Sequence, residues 1–220
     1  MKKLLFLWLA LLLMLPSAMR AQSTTLTVAD GTDRNNHLPI YGLYLDYTGH
    51  NQVIYPESML VDMLGATISS ITFYMETVPT TPWAHTFEFG LGTTTTSNFS
   101  DENLITTGIS TVYTGTISVN SQITVTFTTP FVYNGGNLVL DVQNIAGGYS
   151  GGYFYGTTTS QAAGIYSYVS SYGSETIHNQ TFIPKTTFTY SGGATCLSPS
   201  SLQISGLNTN VATLTWSPRG

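Results

Sequence analysis

The chain has 220 residues, of which 42% are hydrophobic and 8% charged, with six basic and eleven acidic side chains. So few cations, dispersed along the chain, cannot displace the counterions of a phosphate backbone, which excludes nucleic acid as a partner and disfavours an anionic membrane surface. The 14 Tyr and 10 Phe supply enough apolar area for a buried core, so the chain is not disordered, and a single cysteine, Cys196, allows no internal disulfide.

In chain order, "MKKLLFLWLALLLMLPSAMRAQ" comes first: two lysines, an apolar run from Leu4 to Leu15, then small residues. This is the order of a secretory signal peptide, residues 1–21, with cleavage expected after Ala21. The run is shorter than the roughly 20 apolar residues that span a bilayer, and no lipoprotein cysteine follows it. The mature chain then keeps Arg34, Lys185 and Arg219 against all eleven carboxylates, a net charge of −8. The expected location is secreted or on the outer cell surface, with no stable membrane insertion after cleavage.

From residue 24 to about 190, short β-type runs alternate with turn signals. The candidates are 24–29, 38–47, 52–55, 67–76, 85–92, 110–119, 122–129, 137–142, 164–170 and 181–190. In "ITVTFTT", Ile123, Val125 and Phe127 point one way and the threonines the other, the period of an antiparallel strand with one face buried. The one candidate helix is "PESMLVDML" (56–64), opened by Pro56 and Glu57 and closed by Gly65. About ten strands predict an all-β fold, a jelly-roll-like β-sandwich over residues 22–190. Residues 191–201, "SGGATCLSPSS", read as a linker, and two further strands follow in 202–220.

No catalytic constellation emerges, and the chain is expected not to be an enzyme. "GYSGG" (148–152) matches G-x-S-x-G, but Ser150 is not followed by the helix that a nucleophile elbow requires. His37, His50, His85 and His178 lack metal-ligand spacing. His50 falls near Asp46 beside a turn. Glu76, Glu88 and Asp141 lie within predicted strands and are expected to face solvent, so no carboxylate pair is drawn together. Asp101 and Glu102 read as a loop cap. No cofactor is expected. Asp30, Asp33 and Asn35, with Asn36 and Gly31, offer oxygens for calcium, an alternative outweighed by their ordinary role in turns.

The most unusual region is 147–174, where Tyr149, Tyr153, Phe154, Tyr155, Tyr166, Tyr168 and Tyr172 lie among glycines and serines. Tyrosine gives large contact area at low entropy cost, so these aromatics are candidates for a sugar- or protein-binding surface. Cross-strand pairing within a hairpin is the competing explanation.

Two resemblances add context. "CLSPSSLQISGLNTNVATLTWSP" (196–218) resembles the start of a fibronectin type III module, with Pro199 before the first strand and Trp216 at the end of the second. "GTDRNNHLPIY" (31–41), "ESMLVDM" (57–63), "FEFGLGTTTTSNF" (87–99) and the stretch 112–142 resemble the N-terminal β-sandwich of secreted multidomain surface proteins of Bacteroidota. These resemblances imply that residues 202–220 are the truncated opening of an immunoglobulin-like module in a longer protein. The function they imply is a non-catalytic adhesion or binding module whose partner is a host or cell-surface protein or glycan. The alternative is an ancillary, carbohydrate-binding domain of a secreted peptidase or glycoside hydrolase whose catalytic domain lies downstream.

Overall fold

The computed structural model describes residues 23–40, 46–80, 83, 86–145, 152–170, 173, 175–193, 200–208 and 211–217. The signal-peptide segment, His85, Tyr149, Ser150, Tyr172, Cys196, Pro199 and the surroundings of the Trp216 side chain lie outside this description. Among the described residues, thirteen strands precede residue 193: β1 Thr24–Val28, β2 Asp33–Asn35, β3 Asp46–Tyr55, β4 Ala66–Thr77, β5 Phe87–Thr94, β6 Ile109–Gly115, β7 Gln122–Tyr133, β8 Asn137–Asn144, β9 Tyr153–Thr158, β10 Gly164–Ser170, β11 Glu175–Gln180, β12 Phe182–Pro184 and β13 Thr186–Gly192.

They form two antiparallel sheets, as an all-β sandwich requires. One runs β1-β13-β4-β9-β12, with β7 on the other side of β4 and β2 on β9; the second runs β11-β10-β3-β8-β5-β6. Period-2 alternation sends Ile71, Phe73, Ile123, Val125, Phe154 and Phe188 inward from the first sheet. Val53, Tyr55, Phe87, Phe89, Leu91, Leu138 and Leu140 point inward from the second, and all are buried in one cluster. Each such side chain contributes about 1.5–3 kcal/mol when fully withdrawn from water. The Tyr55 hydroxyl is 2.7 Å from Thr186 Oγ1, and Thr186 donates to the Pro184 carbonyl at 3.0 Å. Tyr55 must therefore be the donor to Thr186. Burial pushes its phenol far above the ordinary value, so it keeps that proton.

Several expectations are corrected. Residues 56–64 form not an α-helix but two 3-10 turns, Glu57–Met59 and Val61–Met63. Leu60, at φ −119° and ψ 10°, breaks the helical path between them. Leu60 and Met63 are buried and stand three residues apart, the 3-10 repeat, so packing against the core selects the tighter turn. Leu38 and Ile40 are buried but belong to an irregular segment with a cis Leu38–Pro39 bond, and the described strand begins at Asp46. Strands β2, β9 and β11 were not expected. Gly156 on β9 permits a close crossing, because a Cβ there would strike the Ile183 carbonyl oxygen and the Phe182 ring. Downstream, Ser200–Asn208 (β14) and Val211–Ser217 (β15) pair as an antiparallel hairpin.

Between β5 and β6, residues 95–108 cross the outer face of the six-stranded sheet as a strap. Phe99 beds there against Ile54, Val139 and Ile165, with Leu104, Ile105 and Ile177 packed around them as a second small core. The Phe99 amide donates to the Ala162 carbonyl at 2.7 Å. The sheet around Ile54, Val139 and Ile165 is thus covered on both faces. The candidate site lies beside this covered part, on the same face.

Candidate functional site

On the outer face of the six-stranded sheet, register places Ser167, His50, Gln143 and Glu88 in one cross-strand row. Ile165, Gln52 and Asp141 form the next row. Opposed Cβ atoms in such rows lie about 4.5–5.5 Å apart, so these side chains meet.

Asp141 is the hub. It is buried, at 4% exposure, where solvent exposure was expected. The expectation failed because β8 is covered on both faces: core on one side, strap and sheet-face network on the other. His50 Nε2 lies 2.5 Å from Asp141 Oδ1, Gln52 Nε2 donates to the same oxygen at 2.6 Å, and Gln143 Nε2 donates to Oδ2 at 3.1 Å. Burial raises the Asp141 carboxyl, but the hydrogen bond and charge of His50 and the bonds from Gln52 and Gln143 outweigh it. The acid is held below its ordinary value and stays ionised. Gln52 also donates to the Ile105 carbonyl at 2.7 Å and accepts from the Ile105 amide at 2.8 Å, which ties the strap to the hub. His50 therefore pairs with Asp141, from 91 residues away in sequence, while the Asp46 side chain lies outside the described residues.

Beside this network lies a concavity of about 360 Å³, lined by Thr48, Gly49 and His50 on β3, Gln143, Asn144 and Ile145 around the end of β8, Ser167, Tyr168 and Val169 on β10, and Glu175 on β11. His50 Nε2 is turned to Asp141, which leaves Nδ1 as the ring's second hydrogen-bonding nitrogen. Ile145, 48% exposed, adds an aliphatic edge.

Ser167, His50 and Asp141 invite comparison with a hydrolytic triad, but acyl transfer also needs amide N–H groups aimed at a developing oxyanion. β3, β8 and β10 each have a hydrogen-bonded neighbour on both sides, so their amides serve the ladders. The arrangement is suited to holding a ligand through hydrogen bonds.

Among the described residues, the tyrosines do not form one surface. Phe154 belongs to the core and is removed from the site, because the alternation of β9 turns it inward. Tyr153 and Tyr155 lie half-buried on the outer face of the seven-stranded sheet. Arg34, opposite Tyr155 in register, sits 5.1 Å from the Tyr153 ring centroid and 3.5 Å from Glu76. Tyr166 and Tyr168 stack at 6.3 Å, and Tyr166 stacks on His37 at 4.4 Å. Both rings leave β10 on the face opposite Ser167, so residue 168 reaches the concavity at the strand's end while its ring belongs to that stack.

The calcium candidates are likewise occupied elsewhere. Asp30 pairs with Lys185, Asp33 accepts from the Thr158 amide at 2.9 Å, and Asn35 Oδ1 accepts from the amides of His37 and Leu38 at 2.7 and 3.0 Å. Among the described residues, no group of three or more His, Cys, Asp or Glu side chains is placed to hold a metal. Nor is any described helix long and apolar enough to cross a membrane. The one sequence signal that could have found the hub was polar residues at alternating positions in otherwise apolar strands: His50 and Gln52 in β3, Asp141 and Gln143 in β8. Comparison with known protein families, curated proteins and solved structures finds no match for this chain.

Proposed function

We propose that the chain is a non-catalytic adhesion or binding module of an exported protein, a jelly-roll-like sandwich that presents a ligand site on its six-stranded sheet. The observation that carries this reading is the concavity beside Asp141: a polar floor on strands whose amides serve their ladders. The signal-peptide pattern and the low charge of the chain support export. The resemblance of residues 196–218 to the opening of a fibronectin type III module fits a place in a longer surface protein.

Two measurements test this. N-terminal sequencing of the exported protein should begin at Gln22, and retention in the cytoplasm with an intact Met1 would contradict export. The full mature chain, passed over immobilised matrix proteins and glycans, should bind at least one saturably and leave it chemically unchanged. Turnover of a panel member, or no binding across the panel, overturns the proposal.

A further inference from the structure

We infer that the concavity on the six-stranded sheet takes a neutral, hydroxyl-rich sugar unit and rejects anionic ones. The inference rests on the binding-module reading and names the ligand of that site. Its first support is the donor–acceptor balance. The Gln143 carbonyl oxygen and the Glu175 carboxylate are acceptors, the Thr48 and Ser167 hydroxyls and His50 Nδ1 add further hydrogen-bonding groups, and no Lys or Arg is among the described residues that line the concavity. A carboxylate, sulfate or phosphate would enter without a counter-charge and beside Glu175, a desolvation that nothing repays.

A cationic ligand fits less well than a neutral one. The buried negative charge, Asp141, is already met by His50, Gln52 and Gln143. Glu175 is exposed at the rim, where an ion pair adds little. What remains is a set of hydrogen-bonding side chains and hydroxyls, which matches a molecule that presents several O–H groups.

Shape and apolar surface agree. A concavity of about 360 Å³ lies at the small end of ligand sites, with room for one or two pyranose rings. Ile145 and Val169 supply aliphatic surface at its edge, a partner for the C–H face of such a ring. The floor is preorganised, because Asp141 fixes His50 and Gln143, and Gln52 fixes Asp141 to the strap. Little ordering entropy is then lost on binding.

Isothermal titration of the full mature chain with cellotetraose, mannotetraose and chitotetraose, against tetragalacturonate and a heparin tetrasaccharide, tests the assignment. At least one neutral oligosaccharide should bind, weakened about tenfold by His50→Ala and by Ser167→Ala, the loss of one or two hydrogen bonds. Thr126→Ala, on the opposite sheet, should leave the affinity unchanged. Should His50→Ala lower the melting temperature, Ser167→Ala and Glu175→Gln carry the comparison, since neither touches Asp141. Tighter binding of an acidic oligosaccharide, or neutral binding indifferent to these variants, overturns the inference. If a panel protein binds but no neutral sugar does, the sugar assignment is wrong and the binding-module reading stands. If nothing binds, both fall.

Discussion

Two residues make pH predictions of the same sign in different windows. The folded Asp141 carboxyl lies below its ordinary value of about 3.9, so its network contributes stability above that pH and loses it as pH falls through the folded value. Asp141→Asn should cost about 2 kcal/mol at pH 7, because charged hydrogen bonds become neutral ones. The mutant's melting temperature should then fall less than the native chain's below about pH 4. Parallel melting curves for the two proteins would contradict the ionised hub. His37 acts in the same sense at higher pH. Burial and then the neighbouring His178 lower its imidazole below the ordinary value, so the unfolded chain binds the proton more readily than the folded one. Stability is therefore full above about pH 6.5 and declines as pH drops below it. His37→Gln should flatten the decline between about pH 6.5 and 5, and an unchanged slope there would refute the assignment.

The strap is an element whose role can be measured directly. Phe99 fills the small core between it and the sheet, so Phe99→Ala should cost about 3–5 kcal/mol in urea unfolding. Phe99→Leu should cost under about 1.5 kcal/mol. A loss below about 1 kcal/mol for the alanine variant would show that the strap is not bedded as described. The same element marks how far the sequence could be read. Strands β4, β5, β7 and β13 were legible because their apolar residues alternate against one core, and β8 because Leu138, Val139 and Leu140 form an apolar run. β11, "ETIHNQ", was not, since an edge strand with polar side chains carries no such period. β9, "YFYGTT", was not, because its aromatics read as a binding loop when Phe154 is core and Tyr153 and Tyr155 are the opposite face. Asp141 was misplaced for a non-local reason. Alternation assigns it an outer face but cannot reveal that residues 95–108 cover that face, or that His50 and Gln52 arrive there from β3.

At the scale of the molecule, the all-β sandwich was legible from strand number and turn spacing, while the division of labour between its sheets was not. The seven-stranded sheet presents threonines, joined in pairs such as Thr27–Thr187 at 2.7 Å and Thr72–Thr124 at 2.8 Å. Hydroxyl surface of this kind solvates a chain that carries few charges. The six-stranded sheet presents the concavity and its buried hub. Chemical-shift mapping of the full mature chain, titrated with the neutral oligosaccharide it binds most tightly, tests the central claim that ligand is held on this sheet. The expected result is saturable shifts at His50, Gln143, Ser167 and Glu175, with Tyr153 and Tyr155 unmoved. Shifts confined to Tyr74, Tyr153 and Tyr155, or absent throughout the protein, would contradict it.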